Sequence, residues 1–143
     1  MDAIKYLRQE HKEIRQSFSV IKKIANTNLR KKKFAELSKN LIAHEKMEQK
    51  TWYPVLKKKK ALVNIIKHLI DEEKSAAKAL KKFKSVKFDF IWNLRFLKLK
   101  NDVEHHAKEE EQELFTRVRK LMTKSDLNTL GIKMRKYKNT LMK

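Results

Sequence analysis

Apolar positions recur along this chain in alternating steps of three and four. Ile4, Leu7, His11, Ile14, Phe18, Ile21 and Ala25 form the first such seam, with one polar residue inside it. That alternation keeps one face of an α-helix turned toward a partner. Phe34, Leu37, Leu41, His44, Glu48, Thr51 and Val55 repeat it, and Pro54, which has no N–H to donate, marks the expected end of that helix. Leu62, Ile66, Leu69, Glu73, Ala76, Leu80 and Phe83 make a third seam. Trp92, Phe96, Leu99, Val103, His106 and Glu110 make a fourth, continuing less strictly through Leu114, Val118 and Leu121. Four long amphipathic helices joined by short basic turns predict an all-α, up-down-up-down four-helix bundle over about residues 2–123. A fifth segment, over about 125–142, carries Leu127, Leu130, Met134, Tyr137 and Leu141 on one face, with Ser125 as its N-cap. It is expected as a short C-terminal helix capping the bundle, weakened by Gly131. No Pro/Gly/Ser-rich linker interrupts the pattern, so residues 1–143 are read as a single domain.

Composition agrees and narrows the chemistry. The chain of 143 residues holds one Gly, one Pro and no Cys, with 41% hydrophobic and 38% charged residues, which favours long helices over turn-rich sheets. Without Cys there is no disulfide, thiolate zinc site, iron–sulfur cluster or cysteine nucleophile. Any metal must be held by His and carboxylates. The start of the chain lacks an apolar targeting segment, and no run approaches the length that crosses a bilayer, so a soluble, cytoplasmic protein is expected. A Gly-rich phosphate loop and a Ser/His/Asp set are both missing. The formal charge is +20, from 37 Lys and Arg against 17 Asp and Glu. That suits a nucleic acid or another acidic partner. Thirty of the 37 are Lys, however, and they cluster in the runs Arg30 to Lys33, Lys57 to Lys60 and Lys81 to Lys87, where the helices turn. A Lys-rich solvated surface is the simpler account, and a basic polyanion-binding end is the alternative.

The polar residues within the seams carry more information, because a buried ionisable group is costly unless it is paired or ligates a metal. They are His11, His44, Glu48, Glu73, His106 and Glu110, and every main helix supplies at least one. His44/Glu48 and His106/Glu110 are spaced i, i+4, so each pair shares one helix face. Folding the chain back at its expected turns brings all six to one height in the bundle. Three imidazoles and three carboxylates suit octahedral iron or manganese, whereas structural zinc needs only four donors. Six side chains are enough for two ions, whose charge three carboxylates and a bridging hydroxide would balance. One coordination position then stays open for a small molecule such as dioxygen, peroxide or nitric oxide. Trp52 and Tyr53, a turn beyond Glu48, are read chiefly as packing, although a Tyr beside such a site can take part in redox chemistry.

These residues resemble a hemerythrin-like (HHE cation-binding) domain. Leu7-Arg8-Gln9-Glu10-His11-Lys12-Glu13-Ile14 is similar to the first-helix histidine motif of that family. His44-Glu45-Lys46-Met47-Glu48, followed by Tyr53-Pro54, resembles its HxxxE helix. His106-Ala107-Lys108-Glu109-Glu110-Glu111, followed by Phe115, resembles its HxxxEE helix. The resemblance implies a non-haem di-iron centre, bridged by oxide or hydroxide, that binds, reduces or senses a small oxidant. Oxidase, peroxidase or catalase-like turnover would be its enzymatic form. Manganese or zinc suits the same donors, and a monomer or weak homo-oligomer is expected. The departure lies in the third helix, where the family places a His and this chain reads Asp71-Glu72-Glu73-Lys74. Glu73 faces the seam and fills that slot, with His68 and Glu72 as competing flank residues, and His105 is expected to face solvent. An added carboxylate favours Fe(III) over Fe(II), which argues against reversible dioxygen carriage.

Overall fold

A computed structural model describes all 143 residues and contains no strand. Helix α1 spans Ala3–Lys23, and α2 spans Thr27–Met47. A π-turn at Glu48–Trp52 carries α2 directly into α3, Tyr53–Leu56. Helix α4 covers Val63–Lys82 and α5 covers Asp89–Glu109; a second π-turn at Glu110–Leu114 joins α5 to α6, Phe115–Leu121. Helix α7 closes the chain at Lys124–Met142. The result is four antiparallel rods with a fifth, α7, lying against α1 and α2. The fold is thus the expected hemerythrin-like bundle with its C-terminal helix.

Local chemistry accounts for the starts. Asp2 caps α1 by accepting from Lys5 N at 2.8 Å, and Asn26 caps α2 by accepting from Leu29 N at 2.9 Å. Thr123, rather than Ser125, caps α7, accepting from Asp126 N at 3.1 Å. The cap therefore lies two residues before the expected position. Gly131 costs helix propensity but has a packing reason to be there. A Cβ there would lie 2.8 Å from Ala3 N and Met1 O, so the missing side chain lets α7 press onto the start of α1.

The seams are buried largely as the spacing predicts, with one systematic shift. Pro54 does not end its helix: in the π-turn before it the Tyr53 N–H reaches back to the Glu48 carbonyl, and Pro54 falls in the first turn of α3, where its missing N–H is tolerated. The extra residue in that turn rotates the helix beyond it. Leu56 is therefore fully buried and Val55, the expected seam residue, only half-buried. Ala25 is exposed because α1 stops at Lys23. Leu121 is exposed as well, at the very end of α6.

Apolar packing forms two bodies rather than one. Ile4, Leu7, Met47, Trp52, Leu56, Leu62, Ile66, Leu69, Leu114 and Phe115 anchor the first, which α7 completes with Leu127, Leu130 and Met134. Ile14, Phe18, Phe34, Leu37, Leu41, Leu80, Phe83, Trp92, Phe96 and Leu99 anchor the second, where the Phe34 and Phe83 ring centres lie 4.4 Å apart. Each fully buried aliphatic or aromatic side chain contributes about 1.5–3 kcal/mol. The two bodies can hold the rods together while the layer between them is polar. That layer falls between Leu7 and Ile14, Leu41 and Trp52, Leu69 and Leu80, and Leu99 and Leu114. No helix is long and apolar enough to cross a membrane.

Candidate metal centre

The layer between the two apolar bodies contains all six polar seam residues. His11, His44, Glu48, Glu73 and Glu110 are buried and His106 is nearly so. They fall into two groups whose potential donor atoms lie within 4.8 Å of one another: His11, His44 and Glu110 in one, and Glu48, Glu73 and His106 in the other. Each group draws on more than one rod, so it exists only in the folded chain.

The three imidazoles are held alike. Each turns Nε2 inward, with His11 3.0 Å from Glu110 Oε1, His44 3.0 Å from Glu48 Oε1 and His106 3.1 Å from Glu73 Oε2. Each turns Nδ1 outward to another carboxylate: Glu111 at 2.7 Å, Glu10 at 3.0 Å and Glu72 at 3.0 Å, respectively. An Nδ1–H donated to a carboxylate fixes the tautomer that leaves the Nε2 lone pair facing inward, the usual support for a metal-binding imidazole.

Two of these outer carboxylates have cations behind them. Arg15 donates from both terminal nitrogens to Glu111 at 3.0 Å, and from Nε to Glu104 at 2.7 Å. Lys138 of α7, itself buried, donates to both oxygens of Glu10 at 2.6 and 2.5 Å. Phe115 lies parallel to the His11 ring at 6.1 Å between centres, and the Arg8 guanidinium stands over the Phe115 ring at 5.3 Å. Tyr53 is fully buried, with its hydroxyl donating to Glu110 Oε2 at 2.8 Å and lying 3.1 Å from Glu73 Oε2. Gln49 donates to Glu73 Oε1 at 3.0 Å.

The electrostatics describe a site that wants cations. Burial and the charges of Glu110 and Glu73 push the Glu48 carboxyl well above its ordinary range. Burial also opposes ionisation of Glu110, yet the neutral Glu48 and His11 beside it hold Glu110 well below that range. Burial pushes His106 down, but Glu72 and Glu73 outweigh it and raise the imidazole well above its usual value; Glu110 and Glu111 raise His11 in the same way. The metal-free layer is thus held together by protons. Neither oxygen of Glu48 accepts a hydrogen bond, although the side chain is sealed from water. A buried acid whose polar neighbours are themselves candidate donors, His44 at 3.0 Å with Glu110 and Glu73 beside it, is costly in a finished core and is what a ligand for a cation looks like before the cation binds. The residues present therefore fit the metal that the donor set implies.

A cavity of about 660 Å³ leads to this layer, lined by His11, His44, Glu73 and His106 on the inside and by Arg15, Lys98 and Asn101 toward the surface. Glu45 also lines it. This residue is buried, its Oε1 has no hydrogen-bond partner, and burial together with the charge of Glu73 pushes its carboxyl up to about 9. A neutral acid therefore stands on the cavity wall.

Outside the layer lie His68 and His105, both exposed, as expected. Glu72 sits behind His106 rather than among the inward-facing donors. The spacing pattern misses Glu10, Arg15, Glu45, Glu111 and Lys138. Glu10 and Glu111 had a faint signal, each standing next to a seam residue of the layer. Lys138 had none, since nothing local marks one buried Lys among 30.

Helical rods around an interior of His and Glu donors define a metal-binding bundle. The chain matches the hemerythrin HHE cation-binding domain over residues 2–118, and it belongs to that family. The match ends in α6, so α7 and Lys138 lie beyond it. No curated protein and no solved structure matches the chain.

Proposed function

We propose that the protein is a non-haem di-iron protein that binds, reduces or senses a small oxidant, with His11, His44 and Glu110 holding one ion and Glu48, Glu73 and His106 the other. The observation that carries this reading is the split of the six donors into two compact groups, each drawing on more than one rod. Bound iron supplies electrons to an oxidant and a Lewis-acidic open position.

The chain's own residues supply the rest. The cavity admits a molecule the size of dioxygen or peroxide, and Ile14, Phe18 and Leu41 give part of its wall an apolar lining. Arg15 and Glu111 hold His11, while Lys138 and Glu10 hold His44, each in one ring orientation. Burial and three surrounding carboxylates keep the Tyr53 hydroxyl protonated, well above its usual pKa, so it is a proton donor at Glu110 Oε2. Neutral Glu45 offers a second proton from the cavity wall.

The test is elemental analysis of untagged protein reconstituted anaerobically with Fe(II), followed by exposure to dioxygen and then peroxide. Two iron ions per chain that remain when the exposed His68 and His105 are replaced by Ala, and a reaction lost in His44→Ala, support the reading. One ion or none sinks it. Glu73→His removes an anionic donor and is expected to slow autoxidation of the reduced site; an unchanged rate counts against Glu73 as a donor.

A further inference from the structure

Two of the three outer carboxylates in the polar layer are backed by a fixed cation, Arg15 behind Glu111 and Lys138 behind Glu10. Glu72, the third, has none. No Lys or Arg lies within ion-pair distance of it or of its neighbour Glu109. What stands there instead is a pair of imidazoles. His68 Nε2 lies 2.9 Å from Glu109 Oε2 and 3.5 Å from Glu72 Oε2. His105 Nε2 lies 3.7 Å from Glu72 Oε2 and rests against Glu109 Oε1.

Sequence spacing and geometry agree on what this arrangement suits. His68/Glu72 on α4 and His105/Glu109 on α5 are both i, i+4 pairs, the same spacing as His44/Glu48 and His106/Glu110, and the two antiparallel rods turn them toward each other. The donor atoms of His68, Glu72 and Glu109 lie within 4.8 Å of one another. Donors bound to one ion at about 2 Å must themselves stand about 3–4 Å apart, as most of these do. Glu109 Oε1 is sealed from water yet accepts no hydrogen bond, even with His105 against it. In a chain carrying +20, two carboxylates with no Lys or Arg partner are conspicuous, and a cation would complete them.

We infer that His68, Glu72, His105 and Glu109 form a separate surface site for a first-row divalent cation, joined to the buried layer through Glu72. The two oxygens of Glu72 serve different sites: Oε1 accepts from His106 Nδ1 at 3.0 Å, and Oε2 faces His68 and His105. An ion at the surface therefore takes the place that Arg15 and Lys138 fill elsewhere, fixing the carboxylate that orients His106. Two imidazoles and two carboxylates select zinc, cobalt or ferrous ions over magnesium and calcium.

The site can be removed without touching the interior, because the His68 and His105 side chains are 56% and 68% exposed. The five His of the chain divide between the two sites, three inside and two outside, so the double variant His68→Ala/His105→Ala leaves the buried imidazoles intact. Untagged wild-type protein and this variant, matched by circular dichroism, are dialysed to equilibrium against buffered Zn(II) and the bound metal is counted. The inference stands if the variant binds one equivalent fewer than wild type, whatever the total, and is overturned if the two bind the same number. A wild type that binds a single ion, lost in the variant, would keep the surface site and refute the dinuclear reading. A His44→Ala protein is expected to retain the surface equivalent; losing it would also overturn the inference.

Discussion

Lys138→Met isolates the contribution of α7 to the metal layer. Lys138 and Glu10 are each about nine-tenths buried and are joined by two bonds of 2.6 and 2.5 Å. Removing one partner of a buried ion pair costs about 3–5 kcal/mol, because the remaining charge loses its compensation. Two features place this case at the low end. Met fills most of the volume of the Lys stem, so little cavity opens, and Glu10 keeps His44 Nδ1 at 3.0 Å as a second partner. The expected loss is about 3 kcal/mol, on the order of a 10 °C fall in Tm for a chain of this size. Metal affinity should fall about tenfold, the usual effect of disturbing the carboxylate behind a ligating imidazole. The pH dependence supplies a sharper check. Burial raises the Glu10 pKa, but His44 and Lys138 outweigh it and leave the carboxyl below its ordinary value. A lowered carboxylate contributes stability above its unfolded pKa and loses it as pH falls through the folded one. The gap between wild type and variant should therefore be full at neutral pH and close on acidification. Calorimetry of the metal-free proteins from pH 7 to 3 reads this directly, and Lys138→Met/Glu10→Gln should recover much of the loss. A variant whose Tm and metal affinity equal those of wild type would refute the assignment of α7 to the site.

Gly131→Ala sets a gain of about 1 kcal/mol in helix propensity against a Cβ driven to 2.8 Å from the backbone of Ala3 and Met1. Overpacking against backbone costs about 1–3 kcal/mol and prevails, so denaturant unfolding should show a net loss; a stabilised variant would mean that the two helices slide apart freely. Metal-free protein should lose stability as pH rises through neutrality toward 9, because Glu45, raised to about 9, and the raised His11 and His106 all hold protons more tightly when folded. Bound metal should reverse that slope, and a Tm that rises with pH in the metal-free state would contradict the pKa directions. Ferrous titration followed by calorimetry is expected to show two buried-site phases of unequal affinity, with Glu48→Gln abolishing the tighter and His11→Ala the weaker; equal phases would count against unequal groups.

The long elements and the layer were legible because both obey the helical period. Once four seams are aligned, polar residues at His11, His44, Glu73 and His106 share one height whatever the exact turn boundaries. The π-turns were invisible for the same reason: a one-residue expansion leaves the composition of the seam unchanged and merely exchanges Val55 for Leu56. Pro54 was the available clue. A helix interior rejects it, so it predicts a stop, and the wider turn that accommodates it has no sequence signature of its own. Lys138 was hidden by distance. Its partner Glu10 is 128 residues away and belongs to a different rod, so only the packing of α7 on α1 brings them together.

The two halves of the centre are built from the same local unit and are not equivalent. His44-x-x-x-Glu48 and His106-x-x-x-Glu110 each lead into a π-turn that begins at the Glu, and each turn is followed by an aromatic residue five positions on, Tyr53 in one and Phe115 in the other. A π-turn at the same place in both rods shows that the wider spiral is tied to aiming that carboxylate inward rather than to a local accident of sequence. The aromatics then diverge in chemistry. Tyr53 brings a hydroxyl to Glu110 and Glu73, whereas Phe115 offers only a flat apolar face to His11. The donor groups diverge in the same sense: Glu48, Glu73 and His106 carry two carboxylates, and His11, His44 and Glu110 carry one. The substitution that sets this chain apart in its third helix, Glu73, thus lies 3.1 Å from the buried phenol, whose shorter bond, 2.8 Å, goes to Glu110 of the other group. In the di-iron reading proposed above, the second carboxylate of the Glu48, Glu73 and His106 group makes that position the one where an oxidised ion would be favoured, while the Tyr53 hydroxyl is shared between the two positions.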